Sequence, residues 1–248
     1  MEGRMTLAGI GLTGAREWNY STVFERTFGN AMAGAIPAPR DSEAKLQHIL
    51  LHSARIFAEQ GFEGASIRDI SRATGVSLSG LYYYFESKQK LLYLIQSNTF
   101  TFITERLQAR LTHVVDPEAR LRALVQNHVE YFLSHPNEMK VLAHEDEALE
   151  PPYSDEVAAV KKRYYSLARE IFDGVAAEGL TPGLNPRVAV LSLFGMMNWV
   201  YKWHNPKVDP GVEELTDAIV NIFLNGVRKA RVEESALSAT GSPAIPSD

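Results

Sequence analysis

Apolar residues along this chain recur at the three-and-four spacing of helices, and no credible run alternates with the period of a strand. From Asp41, the positions Leu46, Ile49, Leu50, Ser53, Ala54 and Phe57 form one buried stripe, and Gly61 supplies the left-handed stop that ends it. Two shorter patterns follow between Ser66 and Lys88. A helical run without proline or glycine then extends from Lys88 to about His113 on Leu91, Leu92, Ile95, Phe102, Ile103, Leu107 and Leu111. Beyond it, Asp116-Pro117, Asn185-Pro186 and Asp209-Pro210 each place a capping side chain before a proline at the first helical position, with a weaker start at His135-Pro136. Tyr153 to Gly179 reads as one long helix. Pro186 to His204 is apolar nearly all round, which predicts a helix buried on most sides, and it is too short for a membrane span. Leu215, Ile219, Ile222, Phe223, Gly226 and Val227 make a further stripe. The predicted fold class is all-α.

The two short patterns carry the strongest local signals. Ser66 with Asp69 three residues on is a close variant of the capping box, so a helix starts there, with Ile67 and Ile70 facing inward. After Ala73 the chain turns at Gly75, which tolerates the positive φ that ends one helix, and Val76 packs into the angle before Ser77 caps the next. With Leu81 at zero on a wheel of about 100° per residue, Leu78 and Phe85 fall within roughly 60° on the same side. Ser79, Gly80 and Tyr83 lie opposite. A helix whose outer wall carries no acid, small residues and hydroxyl groups approaches a polyanion closely and hydrogen-bonds to it, as a major-groove helix must.

Composition changes this picture in three ways. The 248 residues suffice for two domains with a real core, and 45% hydrophobic with 22% charged residues argues against global disorder. Zero cysteines exclude disulfides, thiolate metal sites and cysteine nucleophiles and fit a reducing, cytoplasmic setting. A net charge of -5 opposes wholly electrostatic binding to nucleic acid, yet Gly64 to Lys90 carries Arg68, Arg72, Lys88 and Lys90 against Asp69 and Glu86, a small positive module in an acidic chain. Residues 1–40 read as a flexible N-terminal arm without an export signal. Their Gly9, Gly11 and Gly14 match a dinucleotide-loop spacing but lack the strand and helix such a loop needs. Residues 233–248, rich in Ser, Ala and Pro, read as a disordered tail.

Ser66 to Lys88, with the helix from Lys45 before it and Leu91-Leu92 after it, resembles the DNA-binding domain of TetR-family transcriptional regulators. The resemblance runs through Gly75-Val76-Ser77, Leu81-Tyr82, Tyr84-Phe85 and Ser87-Lys88. It departs from the commonest pattern at Ser79-Gly80, where glycine or alanine followed by threonine, alanine or serine is frequent, so the operator sequence is not implied. The resemblance implies a three-helix helix-turn-helix domain over 41–88 and a larger helical ligand-binding and dimerisation domain over 89–232. It further implies phosphate contacts from Ser66 and Arg68, a groove-facing set of Ser77, Leu78, Ser79 and Tyr83, and backbone clamps at Tyr82, Tyr84 and Lys88. Tyr84 has core packing as its alternative, and Lys88 a role confined to the helix that follows.

The helical C-terminal region offers a second set of candidates. His128 sits on the apolar face of Leu121, Leu124, Val125 and Phe132, and Arg163 ends a basic Lys161-Lys162-Arg163 run able to meet an anionic group. Asn198, Trp199, Lys202 and Trp203 lie in a stretch to Pro206 that is similar, more weakly, to TetR-type regulators responding to acyl-CoA thioesters. Its alternative is two tryptophans closing a bundle end. No metal set is expected from His48 and His52 or from His144 to Glu147, since a third ligand is missing or the acids are solvated. No cofactor is expected. The reading is a homodimeric repressor of double-stranded operator DNA, released by a small hydrophobic effector, an acyl-CoA or a free drug or acid. An enzyme and a non-specific architectural DNA binder are the rival classes. Neither a nucleotide loop nor a serine-histidine-acid set supports the enzyme.

Overall fold

The computed structural model describes residues 40–227 apart from Asp146, Glu178, Leu180, Thr181 and Pro182, so the arm expected over 1–40 lies outside them but for Arg40, and the tail over 233–248 wholly so. Among the described residues there are ten helices and no strand. They are α1 (Arg40–Gly64), α2 (Ile67–Thr74), α3 (Leu78–Tyr84), α4 (Lys88–Leu111) and α5 (Pro117–Ser134). Then come α6 (Pro136–His144), α7 (Tyr153–Ala176), α8 (Pro186–Asn198), α9 (Val200–Trp203) and α10 (Val212–Val227). None of the described helices is long and apolar enough to cross a membrane.

The described residues divide into two compact units: 40–113 with 130–165, and 114–129 with 166–227. In the first, α1 buries Leu46, Ile49, Leu50, Ala54 and Phe57 as its period predicts, and Gly61, at φ 74°, breaks its regular course. Phe62 thereby folds back edge-on to Phe57 at 5.4 Å. The same apolar cluster takes in Ile70, Leu81 and Phe85 of the short helices, Leu91 and Leu92 of α4, Val141 of α6, Leu149, and Val157 of α7. The short helices thus share one continuous core with later helices of their unit. Gln96 donates to the Glu145 carbonyl at 3.0 Å and Gln89 to the Ala148 carbonyl at 2.8 Å, closing that core with polar ties.

In the second unit, Asp116 accepts from the Ala119 amide at 2.7 Å and Asn185 from the Arg187 amide at 2.9 Å, the caps foreseen before Pro117 and Pro186. The third expected start differs. The Asp209 carboxylate instead accepts from the Asn205 amide at 2.6 Å, and α10 opens two residues after Pro210, with the Gly211 carbonyl taking its first bond from Leu215. Asp209 is drawn into the preceding turn, which leaves no side chain to cap at Pro210. The Pro186 to His204 run also divides, α8 stopping at Asn198 before the single turn of α9.

The core of this unit joins Leu121, Leu124 and Val125 of α5, Phe172 and Val175 of α7, Leu193 and Met197 of α8, and Leu215, Ile219 and Phe223 of α10. Arg122 clamps α5 to α10 through Asp217 at 2.7 Å and Glu213 at 2.9 Å. Those two bonds, Asp217 first, hold its pKa above the ordinary arginine value. Against the expectation of burial on most sides, α8 leaves Val188 54% and Leu191 43% exposed, and α10 leaves Ile222 65% exposed.

Candidate nucleic-acid interface

The Ser66 hydroxyl accepts from the Asp69 amide at 3.2 Å while the Asp69 carboxylate accepts from the Ser66 amide at 3.1 Å, a complete capping box. These bonds to Ser66 are the main reason that the Asp69 carboxyl lies below the usual carboxylate range, with Arg72 adding to them. The box leaves the Ile67 and Arg68 amides at an exposed, positively polarised helix start, where an anion binds favourably. Ser66 and Arg68 are both exposed there, although the Ser66 hydroxyl is already engaged by Asp69.

The turn between α2 and α3 is built from backbone shape and short polar side chains. Gly75 takes φ 68°, the left-handed conformation that a side chain would strain. The Ser71 hydroxyl donates to the Val76 carbonyl at 2.6 Å, the Thr74 hydroxyl donates to the Ile70 carbonyl at 2.8 Å, and His48 Nε2 lies 3.2 Å from the Thr74 carbonyl. Ser77 then caps α3 by accepting from the Gly80 amide at 3.2 Å. Gly80 has a second role that its sequence context did not reveal. A Cβ there would stand 2.9 Å from Val76 Cγ1 and 3.1 Å from Ser77 Oγ, so only glycine lets α3 close this tightly on the turn.

On α3, Leu81 is fully buried while Ser77, Ser79, Tyr82 and Tyr83 are exposed, Tyr83 at 75%. Leu78 is exposed as well, at 39%, although the helical wheel set it beside Leu81. As the first residue of a seven-residue helix it lies at the open end of the apolar wall, beyond the core that covers Leu81. Tyr84 is partly buried, packs against the core, and its hydroxyl accepts from Ser42 at 3.4 Å.

Lys88 points elsewhere. Its ammonium donates to the Phe62 carbonyl at 2.8 Å and the Ala65 carbonyl at 3.2 Å and lies 4.3 Å from the Phe62 ring centroid. In this conformation it braces the end of α1, where free carbonyls attract a cation. Nothing in the linear spacing marked those carbonyls, which lie more than twenty residues away. The structure therefore brings Ser66, Arg68, Ser77, Leu78, Ser79, Tyr82 and Tyr83 to solvent on one small head, and holds Tyr84 and Lys88 partly inside it.

The candidate ligand residues separate into groups. In the second unit His128 is 3% exposed, lies 5.9 Å from Phe194, and is hydrogen-bonded with Asn198. Burial pushes its pKa down to about 3 against the raising effect of Asn198, so its ring is neutral at neutral pH. Trp199 and Trp203 of the same unit are 59% and 49% exposed, and the Lys202 ammonium is 5.9 Å from the Trp199 ring. Arg163 belongs to the first unit and is exposed on α7.

Comparison with known proteins agrees with this geometry. Residues 49–93 match the family described as bacterial regulatory proteins, tetR family, and residues 114–227 match the tetracyclin repressor-like C-terminal domain. The chain is 28% identical to the HTH-type transcriptional repressor NicS of Pseudomonas putida over 54% of its own length and 64% of that relative's, a little under two thirds. It is 23% identical to the transcriptional repressor KstR2 of Mycolicibacterium smegmatis over 80% of its length and 98% of the relative's. A solved structure of AibR in complex with isovaleryl coenzyme A and operator DNA superposes with a TM-score of 0.64 at 27% identity, covering 72% of this chain and 97% of that one. With one family match falling on the head and the other on the helical region that follows it in the sequence, this chain belongs to the TetR family of bacterial transcriptional regulators.

Proposed function

We propose that the protein is a cytoplasmic, homodimeric repressor that leaves its operator when a small hydrophobic effector binds. The observation that carries the reading is the exposed wall of α3, where Ser77, Ser79 and Tyr83 stand clear of the core on a helix without an acidic residue. Each subunit places this wall in a major groove of a roughly palindromic site, with half-sites one helical turn or a multiple apart. Ser66, Arg68 and the amides beside them take a flanking phosphate, Tyr82 and Tyr84 the backbone next to the groove, and Lys88 keeps the first helix in place. The exposed apolar stripe of Val188, Leu191 and Ile222 fits a helical interface between two copies.

The effector we favour is an acyl-CoA. The buried His128–Asn198 pair supplies a polar point inside an apolar region, and Trp199, Lys202 and Trp203 supply an exposed aromatic and cationic rim suited to a nucleotide head. Release is a population shift, which requires the effector to prefer the conformer whose two heads do not match the operator spacing. Fluorescence anisotropy with DNA selected by the purified protein tests both halves. Tyr83→Ala and Arg68→Ala should each lower specific affinity by about tenfold, and micromolar isovaleryl-CoA should dissociate the complex. Wild-type affinity in both variants sinks the head assignment, and release by the free acid but not the thioester sinks the acyl-CoA assignment.

A further inference from the structure

Within the first unit, α1, α4 and the start of α6 line a half-open cavity of about 260 Å³ that the acyl-CoA reading does not use. It is smaller than the roughly 300–1,000 Å³ of drug-sized sites and equals the liquid volume of about nine waters. Its lining is chemically specific. Asn98 is 5% exposed, and neither its Oδ1 nor its Nδ2 has a hydrogen-bond partner. The buried Nε2 of Gln47 is likewise unpartnered. Glu138 is 8% exposed and makes no ion pair with a lysine or arginine among the described residues; burial raises its pKa, while nearby His135 and a hydrogen bond with its own backbone work against that rise. His135 lines the same cavity, with Nδ1 3.0 Å from the Tyr131 carbonyl. Leu50 and Ile95 supply the apolar wall.

Buried polar atoms are ordinarily satisfied, and three unpartnered ones beside a carboxylate with no lysine or arginine partner among the described residues describe a ligand by complement. Acceptors at Glu138 and Asn98 Oδ1 call for a cationic donor, while Asn98 Nδ2 and Gln47 Nε2 call for one acceptor on the same molecule. We propose that this cavity is a second ligand site, for a small organic monocation: a primary ammonium or guanidinium on a short apolar body bearing one hydrogen-bond acceptor. His48 lines the same cavity and reaches the Thr74 carbonyl at the turn, so an occupant touches the side chain that ties α1 to the reading head.

The site is independent of the effector reading, and its test uses the full chain without DNA. Tyramine, 3-methoxypropylamine and the neutral tyramine isostere tyrosol are titrated by calorimetry, and the Asn98 side-chain amide, assigned by its loss in Asn98→Ser, is followed by ¹⁵N NMR. Tyramine or 3-methoxypropylamine should shift that resonance saturably, tyrosol should bind at least about tenfold more weakly, and Glu138→Gln should weaken the amine by about tenfold or more. Glu138→Gln preserves shape and removes a buried charge. Should it not fold, Asn98→Ser carries the affinity comparison with the same expected loss. A cavity holding only water gives no saturable shift with either amine and overturns the proposal. Equal binding of tyrosol, or an unchanged affinity in the folded variants, overturns it too.

Discussion

Between Ser66 and Lys88 the short polar side chains are spent on the backbone of their own head, whereas α8 and α10 present apolar side chains that a single chain leaves uncovered. In the head, Ser66, Ser71, Thr74, Ser77 and Lys88 all hydrogen-bond to backbone groups of the head. In α8, Val188 and Leu191 stand three residues apart on an open face, and Ile222 does the same from α10. One region is finished locally, and its free surface is the one proposed above for DNA. The other leaves apolar side chains uncovered, which the proposed second copy would cover.

This contrast can be broken by substitution, beginning with the largest effect. Leu81→Ala empties the fully buried centre of the head and should destabilise the protein by about 2–5 kcal/mol, read from urea unfolding. Gly80→Ala should cost about 1–3 kcal/mol through the clash with Val76, and should weaken operator binding more than its stability loss predicts, because α3 must tilt to relieve the contact. A Gly80→Ala protein with unchanged melting temperature and DNA affinity would remove the close-approach explanation.

Two smaller effects sharpen the comparison. Lys88→Met keeps an unbranched apolar side chain but loses the ammonium, and with it the carbonyl bonds and the contact with the Phe62 ring, at about 1–2 kcal/mol. A brace leaves the salt dependence of operator binding unchanged, whereas a phosphate clamp would reduce its slope by about one. Leu191→Asp and Ile222→Asp sit on exposed positions, and should change the helical content of the chain little while shifting sedimentation towards a monomer. Retention of the dimer in both would place the interface elsewhere.

The same contrast governed what could be read from residues alone. The capping box at Ser66 and Asp69, the left-handed Gly75 and the caps at Ser77, Asp116 and Asn185 were legible, because each is a bond between neighbours in the chain. Lys88 was not, since the carbonyls it holds are brought to it only by folding. Gly80 looked like a departure from a family pattern until Val76 was seen against it. Leu78 was misplaced on the wheel because a wheel has no ends, and Asp209 because a nearer partner, the Asn205 amide, competes for its carboxylate. Gln47, Asn98 and Glu138 come from three helices and shared no local pattern that would have grouped them.

The core that runs from Leu81 and Phe85 through Leu91 and Leu92 to Val141, Leu149 and Val157 sets the grain of the molecule's motions. Because α6 and the start of α7 complete that cluster, the head is not a separable bead on a hinge. It opens to solvent only when those later helices open too, so local unfolding here is cooperative over segments some sixty residues apart. Val141 of α6 and Leu81 of α3 lie in that one cluster, so displacing α6 strips cover from the core that buries Leu81.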